Sequence, residues 1–482
     1  GHSLLDYWTF IGASHINHIQ DSVMDISNKN NININGGKIT VIGLGKSGEA
    51  AALLGAHLGA NIFMSDGGST PDILDRKKRL ISQGITVEIG GHTDKIYDAD
   101  LWVLSPGIPQ DAAMVLTAKK KGIPVVSEIE FGSWFTQAPI LALTGSNGKT
   151  TSVHLLAEMC DTENISPALS GNVGTAFSEV ILKDLKNNPI NRIHVLEISS
   201  FQMEHIVHFK PFISIFLNIT PDHLDRYPGM DDYIQAKMNM IQNQTNKEHI
   251  VYNDDDPLLS KKFEDVLPIT HGFSILGKGE TQFTMNATKI YDDAHATLIQ
   301  LDQLALPGRH NLANALAAAT AANILGVPNS RIAQVMSTFG GVKHRLEKVC
   351  EINGVTYYND SKATNVDAVK VALDSFDTSI HLILGGKDKG GEFSQLLPHA
   401  QNKVKAIVAY GQAGEKISTA LRDAVKLEQV SSLKDAVEIC HLNADAGDII
   451  LLSPGCASFD QFTNFEERGD VFKSIVKELT QS

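Results

Sequence analysis

A short glycine-containing loop carries a lysine and two threonines, a combination that suits phosphate chemistry. It follows an apolar run and reads Gly145-Ser146-Asn147-Gly148-Lys149-Thr150-Thr151. Glycines let backbone N–H groups turn toward a phosphate, and the start of a following helix adds partial positive charge. In such loops the lysine reaches the terminal phosphates and the first threonine holds Mg²⁺. Leu143 stands where the usual pattern has its first glycine, so the alternative is a glycine turn before a helix with a surface lysine.

A carboxylate and an imidazole follow two further apolar runs. Glu197 lies at the end of one predicted buried strand, and His223 follows another. Ligands of open α/β sheets lie beyond such strand ends. Because Mg²⁺ is usually held by few protein ligands together with phosphate oxygens and water, Glu197, His223 and Thr150 form a candidate Mg²⁺ site. A capping or solvent-exposed histidine is the alternative for His223, and composition alone makes Lys237 a solvated surface lysine.

A second glycine-rich loop lies nearer the beginning of the chain. Gly43, Gly45 and Gly48 have the GxGxxG spacing, and Asp66 ends the next predicted strand. This pattern is typical of a dinucleotide site. Three interpretations stay open: an NAD(P) site, which the loop alone favours, a site for another nucleotide diphosphate such as a UDP-sugar, or a tight turn without a ligand.

Strands that alternate with helices place these loops in three successive α/β units, each predicted to form a parallel, doubly wound sheet. The predicted strands span 38–42, 61–65, 101–104 and 123–126, then 140–143, 193–198, 213–218 and 249–252, then 355–358, 380–384, 405–409 and 448–452. The second unit ends with predicted helices at about 311–325 and 330–338. The predicted domains are 38–137, 138–340 and 341–482, and residues 1–37 are predicted to be a leader or linker.

Bulk properties disfavour several classes of protein. A length of 482 residues suggests about three domains. The formal net charge of -14 argues against a nucleic-acid or anionic-membrane binder, because no basic excess is available for phosphates. Four cysteines without metal-type spacing predict a reducing compartment and no disulfides. No apolar run is long enough to span a bilayer and no signal peptide is recognisable, so we expect a cytoplasmic protein.

Together these motifs resemble those of the Mur ligase family, from about residue 38 to the end of the chain. Four segments carry the resemblance to the superfamily: 144–150, 171–174, 220–227 and 307–315. On the carboxyl side, three more are similar to the members that add D-glutamate: His344-Arg345-Leu346-Glu347, Asn359-Asp360-Ser361-Lys362-Ala363-Thr364-Asn365, and the segment 453–469 that begins Ser-Pro-Gly-Cys-Ala-Ser-Phe.

The resemblance implies an α/β fold of three domains: a Rossmann-like N-terminal domain, a central P-loop ATPase-type α/β domain and a Rossmann-like C-terminal domain. It implies an ATP-dependent ligase that adds D-glutamate to UDP-N-acetylmuramoyl-L-alanine through an acyl phosphate, in cytoplasmic peptidoglycan precursor synthesis. ATP is then a co-substrate, two Mg²⁺ ions are cofactors, and the enzyme acts as a monomer. Closure of the three domains around the substrates would exclude water from the acyl phosphate.

The resemblance also implies roles for individual residues. The UDP precursor would contact Gly45, Lys46, Ser47, Asp66, Ser105 and Asn172. ATP would contact Gly145, Asn147, Gly148, Lys149, Thr150, Thr151, Asn311, Arg345 and Asp360. D-glutamate would contact Lys362, Thr364, Lys389, Ser458, Phe459 and Phe465. The metal ligands would be Thr150, Glu197, His223 and a carbamylated Lys237, and the catalytic residues Lys149, Glu197, His223 and Lys237.

Some assignments depend on alignment or lack a side chain. Lys389 is chosen over the nearby Lys387, and the pair Gly67-Gly68 after Asp66 offers no side-chain contacts to a UDP group. The residue that accepts the proton of the glutamate amine, whether His223 or a carboxylate, is left open. Alternatives to this ligase are a sister ligase, an NAD-dependent oxidoreductase that uses the Gly43 loop, and a non-catalytic nucleotide-binding regulator.

Overall fold

The computed structural model describes residues 33–220, 227–278, 281–306, 308–376, 379–388, 390–400, 403–422 and 425–480, with the side chain of Asp367 excepted. The chain divides into two compact units between Phe339 and Gly340. The first unit contains two large parallel sheets and a small antiparallel one, and the second contains one mixed sheet. The predicted α/β class is confirmed.

The first sheet has five parallel strands in the order β3-β2-β1-β4-β5. Its strands are β1 (Lys38–Ile42), β2 (Asn61–Asp66), β3 (Thr86–Ile89), β4 (Leu101–Leu104) and β5 (Val125–Ser127), and its helices are α1 (Lys46–His57), α2 (Pro71–Ser82), α3 (Ala113–Lys120) and α4 (Glu128–Ser133). Gly48 lets helix α1 lie close to the glycine loop. Any larger residue would clash there, because its Cβ would lie 1.9 Å from the Gly43 carbonyl oxygen. The strand order reverses beside β1, where open α/β sheets bind ligands.

The last residues of the predicted leader pack against this sheet. Ile34 is only 3% exposed, the Gly36 N–H donates to the Gly59 carbonyl, and the Asn61 N–H donates to the Gly37 carbonyl. The predicted linker therefore ends earlier than residue 37, because an apolar side chain and backbone pairing hold residues 34–37 in place. Residues 1–32 lie outside the described part of the chain.

The second sheet has six parallel strands in the order β11-β10-β9-β6-β8-β7. Its strands are β6 (Ile140–Thr144), β7 (Ser166–Gly171), β8 (Arg192–Glu197), β9 (Ile213–Phe216), β10 (His249–Asn253) and β11 (Ile269–Phe273). The helices of this region are α5 (Lys149–Cys160), α6 (Phe177–Asn187), α7 (Met230–Met238), α8 (Pro257–Lys262), α9 (Arg309–Ile324) and α10 (Asn329–Thr338). A small antiparallel sheet of β12 (Thr284–Met285), β13 (Lys289–Tyr291) and β14 (Thr297–Gln300) was not predicted.

Two buried carboxylates of α4 join the first sheet to the second. Glu130 accepts the backbone N–H groups of 207, 208 and 209 and the indole N–H of Trp134. Glu128 accepts the Ser178 N–H at the start of α6. Burial raises the pKa of Glu128 to about 7 although hydrogen bonds from Ser178 oppose the shift.

The second unit is a mixed sheet in the order β15-β16-β20-β17-β18-β19. Its strands are β15 (Glu347–Ile352), β16 (Val355–Asn359), β17 (Ile380–Gly385), β18 (Val404–Tyr410), β19 (Lys426–Gln429) and β20 (Ile449–Leu452), and its helices are α11 (Val366–Asp374), α12 (Leu397–Ala400), α13 (Gly414–Leu421), α14 (Leu433–Asn443) and α15 (Phe465–Leu479). The four strands predicted for this unit, β16, β17, β18 and β20, run parallel. The additional edge strand β15, which was not predicted, pairs antiparallel with β16. Among the described residues, no helix is long and apolar enough to cross a bilayer.

Candidate active site

The phosphate loop connects β6 to the first turn of α5, as predicted. Gly148 caps the helix with φ +84°, and a Cβ there would lie 2.3 Å from Oδ1 of Asn314. Asn314 and Asn311 both lie in the first turns of α9, so the beginning of that helix adjoins the loop. No local sequence pattern predicts a role for Asn314, because its contact with Gly148 depends on the packing of two helices far apart in sequence.

The loop is held in place by the segment that follows β9. The Asn147 N–H donates to Oδ1 of Asn218 at 2.9 Å, and Nδ2 of Asn218 donates to the Asn147 carbonyl at 3.1 Å. Oγ of Ser146 donates to the Thr220 carbonyl and accepts the Thr220 N–H, each at 2.9 Å. Nζ of Lys149 donates to the Gly145 and Ser146 carbonyls. The Lys149 side chain therefore folds back and binds carbonyl groups of its own loop.

Glu197 stands one strand away from this loop, with its backbone paired in register with Leu143 of β6. Its side chain is 3% exposed. Oε1 accepts a hydrogen bond from Nδ2 of Asn172 at 2.8 Å, while Oε2 is buried without a hydrogen-bond partner among the described residues. A buried carboxylate oxygen without a partner is costly, so this oxygen is suited to a cation.

Lys237 on α7 lies beneath the loop rather than in solvent. It is 2% exposed, and Nζ donates to Oγ1 of Thr144 and to the Gly145 carbonyl, each at 3.2 Å. The ammonium also lies 4.7 Å from the ring centroid of Tyr233. The composition-based prediction of a solvated lysine is therefore wrong, because α7 folds back against the end of β6.

The remaining predicted members of this site are only partly described. Thr150 is buried and Thr151 half-buried in the first turn of α5. His223 lies in the segment 221–226, outside the described residues. Within the described ranges, no group of three His, Cys, Asp or Glu side chains could hold a metal ion.

The amino-terminal glycine loop lies at the switch point of the first sheet. Gly45 precedes α1, and Lys46 and Ser47 begin it. Oγ of Ser105 donates to the Gly43 carbonyl at 3.0 Å. The Asp66 carboxylate accepts the N–H groups of Leu44 at 2.5 Å and Gly68 at 2.7 Å, and so fixes the loop.

The predicted glutamate residues of the second unit lie on loops that follow adjacent parallel strands. Lys362 and Thr364 follow β16, and Ser458 and Phe459 follow β20, while Phe465 begins α15. Lys389 follows β17, the other neighbour of β20, but itself lies outside the described residues. Phe459 is 62% exposed.

A buried arginine joins the first two of these loops. Arg468 is 0% exposed. Its guanidinium donates from Nε to Oγ of Ser361, from Nη2 to the Ser361 carbonyl and from Nη1 to the Cys456 carbonyl. The Ser361 hydroxyl in turn donates to the Phe465 carbonyl. The sequence motif that contains Arg468 predicts no role for it, because its hydrogen bonds reach loops that are distant along the chain.

Arg345 is presented by a strained turn that Asp360 braces. His344 and Leu346 flank it with φ of +63° and +44°, a conformation that persists only where surrounding contacts impose it. Oδ1 of Asp360 accepts the Leu346 N–H, and Oδ2 accepts the Ser453 hydroxyl. Burial raises the pKa of Asp360 to about 7 although these hydrogen bonds oppose the shift.

Family models match three stretches of the chain. The MurD N-terminal domain matches 38–114, the Mur ligase middle domain matches 143–322, and the Mur ligase glutamate ligase domain matches 344–456. The phosphate loop, Glu197 and Lys237 fall in the middle match.

Similar proteins span almost the whole chain. A Salinibacter ruber protein named UDP-N-acetylmuramoylalanine–D-glutamate ligase is 40% identical over 460 residues, which are 92% of this chain and 98% of that protein. A Geobacillus protein of the same name is 43% identical over 451 residues, again 92% of this chain and 98% of its own. A solved structure, MurF ligase from Thermotoga maritima in complex with ADP, is 15% identical, with a TM-score of 0.53 over 92% of this chain and 96% of that one; it shows likeness of fold.

Proposed function

The chain belongs to the Mur ligase family, and on that premise we propose that it joins D-glutamate to UDP-N-acetylmuramoyl-L-alanine, with ATP as co-substrate, in peptidoglycan precursor synthesis. The observation that carries this proposal is the convergence of Lys149, Lys237 and Glu197 at the carboxyl edge of the second sheet. Two amines and a partly unsatisfied carboxylate suit a nucleotide triphosphate and its metal.

The ATP phosphates would lie against the loop 145–150 and the start of α5. Nζ of Lys149 would then exchange the Gly145 and Ser146 carbonyls, which it contacts now, for phosphate oxygens. That exchange replaces neutral acceptors with charged ones, and charge-assisted hydrogen bonds are roughly twice as strong. Lys149 would thereby stabilise the charge that moves during phosphoryl transfer.

The residues at this site fit Mg²⁺. The buried Oε2 of Glu197 lacks a hydrogen-bond partner among the described residues, and Thr150 begins α5 beside the loop. Glu197, Thr150 and His223 would hold metal together with phosphate oxygens, and a second ion would use carbamylated Lys237. When bound, Mg²⁺ supplies neutralisation of the phosphate charge.

The reaction needs two displacements. The carboxylate oxygen of the L-alanyl group attacks the γ-phosphorus of ATP, the bond to the ADP oxygen breaks, and an acyl phosphate forms. The deprotonated glutamate amine then attacks the acyl carbon, and phosphate leaves with the oxygen that had joined it to carbon. Positioning and electrostatic stabilisation account for most of such catalysis. We leave open whether His223 or a carboxylate takes the proton of the amine.

Carbamylation of Lys237 is part of this proposal, and the surroundings of its amine support it. Nζ of Lys237 lies 3.2 Å from Oγ1 of Thr144 and from the Gly145 carbonyl oxygen. Nζ of Lys149 contacts the same carbonyl oxygen, so the two amines are close together. Addition of CO₂ would convert this cation to an anion, which would attract both Lys149 and a metal ion.

The other substrates would contact residues of the first sheet and of the second unit. The precursor would contact Gly45, Lys46, Ser47, Asp66, Ser105 and Asn172. D-glutamate would contact Lys362, Thr364, Lys389, Ser458, Phe459 and Phe465, and the adenosine group Asn311, Arg345 and Asp360. We assign the precursor, ATP and amino-acid domains to 38–137, 138–340 and 341–482, and place a monomeric enzyme in the cytoplasm, where ATP is available.

Mass spectrometry of the products tests this function. The protein is incubated with ATP, Mg²⁺ and UDP-N-acetylmuramoyl-L-alanine, together with D-glutamate, L-glutamate or another amino acid. The proposal predicts a product that is heavier than the precursor by one glutamyl residue, and predicts it only in the reaction that contains D-glutamate. A product with a different amino acid would overturn the substrate assignment, and no product from any pairing would overturn the ligase.

A further inference from the structure

A serine, a histidine and a glutamate form a hydrogen-bonded chain at the carboxyl end of β2 and β3. The buried Ser65 hydroxyl lies 2.7 Å from Oε1 of Glu88 and 2.7 Å from Nδ1 of His92. Glu88 also accepts the N–H and the hydroxyl of Thr93, at 3.0 and 2.7 Å. Burial tends to raise the pKa of Glu88, but the hydrogen bonds from Ser65 and Thr93 outweigh it and the pKa is lowered. Glu88 is therefore a carboxylate that only accepts hydrogen bonds.

This chain fixes the tautomer of His92. A hydroxyl has one proton, and Ser65 gives it to Glu88. The Ser65 oxygen must then accept from Nδ1–H of His92. In the neutral imidazole the other nitrogen, Nε2, carries a lone pair and acts as an acceptor.

Nε2 of His92 lies close to the first of the two glycines that follow Asp66. A Cβ on Gly67 would lie 3.4 Å from Nε2 of His92, so the imidazole occupies the space beside this glycine. The Gly90 N–H donates to the Gly68 carbonyl at 3.0 Å, which joins the loop that carries His92 to the loop after β2. His92 itself is exposed, so a ligand can reach this residue.

A nucleotide bound at this sheet would place its base near His92. In folds of this type the pyrophosphate lies at the glycine loop and the start of the first helix, and the ribose lies at the acidic residue that ends the second strand. That residue is Asp66. The base must extend beyond the ribose, past the ends of β2 and β3, where Gly67 and His92 lie.

We propose that His92 is a specificity-determining residue that recognises the uracil of the precursor, with Nε2 accepting the N3–H of the base. Uracil carries a proton on N3, whereas N3 of cytosine is an acceptor, so the same nitrogen would repel cytosine. The inference rests on the proposed binding of a UDP precursor at the first sheet. It assigns base recognition to an imidazole where Gly67 and Gly68 have no side chains.

Calorimetric titration of the full-length protein with UDP and with CDP tests the assignment. We expect the wild type to bind UDP more tightly than CDP. In His92→Asn the amide can replace Nδ1–H toward Ser65 but does not reach the position of Nε2, so the preference should fall by about tenfold, the size of one hydrogen bond to an otherwise unpaired group. His92→Gln, whose amide reaches the Nε2 position, should retain part of it.

Two comparisons separate recognition from damage to the fold. His57→Asn makes the same change at an exposed histidine in the last turn of α1, and should leave the UDP-to-CDP ratio unchanged. An unchanged ratio in His92→Asn, or an equal loss of both nucleotides, would overturn the proposal. The titration does not need turnover: a wild type that forms no glutamyl product refutes the ligase function, whereas a productive enzyme whose UDP preference ignores His92 refutes only this inference.

Discussion

Lys149 and Lys237 donate to the same carbonyl oxygen, that of Gly145, at 2.8 and 3.2 Å, so their nitrogens lie no more than about 6 Å apart. Two ammonium groups at that separation repel by about 3 kcal/mol at an effective dielectric constant of about 20. An anion between them, or conversion of Lys237 to a carbamate, turns this repulsion into attraction. The pair therefore favours a phosphate-binding site.

Lys237→Arg tests the carbamate. Arginine keeps the positive charge but does not form the carbamate, so turnover should fall by about 10²-fold or more while binding of a non-hydrolysable ATP analogue changes much less. Lys247→Arg, at an exposed position, is the matched control. Carbon NMR with labelled bicarbonate should show a carbamate signal in the wild type that Lys237→Arg lacks; full activity in the variant would refute the role.

Glu197→Gln tests the metal site. The substitution keeps the size of the side chain and the acceptor for Asn172 but removes the charge from the unsatisfied oxygen. We expect a fall in turnover of about 10²-fold and a higher Mg²⁺ concentration at half-maximal rate, with the free energy of unfolding changed by less than about 1 kcal/mol. An unaltered Mg²⁺ dependence would contradict the assignment.

Glu128 should make the stability of the protein depend on pH. Because the pKa of Glu128 is raised from 4.5 to about 7 in the folded protein, the folded state keeps a proton that the unfolded state has lost across this window. Stability contributed by this group therefore falls as pH rises from about 4.5 to 7, by up to about 3 kcal/mol. Relative to wild type, Glu128→Gln should gain stability between pH 5 and pH 8.

Glu130→Gln is the contrasting variant. The Glu130 carboxylate accepts three backbone N–H groups and an indole N–H. The NH₂ group of a glutamine would face some of these donors and could not accept from them, so the substitution should lower the free energy of unfolding by about 2–4 kcal/mol. Denaturant unfolding at several pH values measures both variants. Equal pH dependence of wild type and Glu128→Gln would show that Glu128 is ionised in the folded state.

Gly148→Ala should damage the phosphate loop beyond the backbone cost alone. The added Cβ would meet Oδ1 of Asn314 and displace either the loop or α9. Gly277→Ala shares the positive φ, +72° against +84°, but its Cβ would have no atom of the described residues within 4 Å. This variant therefore measures the conformational penalty of about 1 kcal/mol. We expect loss of ATP-analogue binding only in Gly148→Ala. Equal effects in both variants would show that the contact between residue 148 and Asn314 does not affect binding.

The elements with continuous apolar patterns were predictable from sequence. Strands β1 and β4 begin and end where predicted, because their β-branched and apolar side chains are buried on both faces. Strand β7 was missed, since Ser166–Gly171 contains proline and glycine. The strands of the small antiparallel sheet and β15 are not predicted from the sequence, because whether such short segments pair as strands depends on tertiary context.

The site was predictable where chemistry is carried by local motifs. Loop 145–150 and Glu197 follow their strands as predicted. Burial of Lys237, the contact of Asn314 with Gly148 and the hydrogen bonds of Arg468 arise between segments distant in sequence, and no local pattern contains them. The roles implied for the site residues stay predictions, and His223 and Lys389 lie outside the described part of the chain.

Transfer of oxygen from the precursor to phosphate tests the central claim most directly. The L-alanyl carboxylate of UDP-N-acetylmuramoyl-L-alanine is labelled with ¹⁸O and incubated with ATP, Mg²⁺ and D-glutamate, and the released phosphate is analysed by mass spectrometry. An acyl phosphate requires one labelled oxygen in each phosphate, together with unlabelled ADP. Unlabelled phosphate, or formation of AMP and pyrophosphate, would contradict activation of the carboxylate by the γ-phosphate.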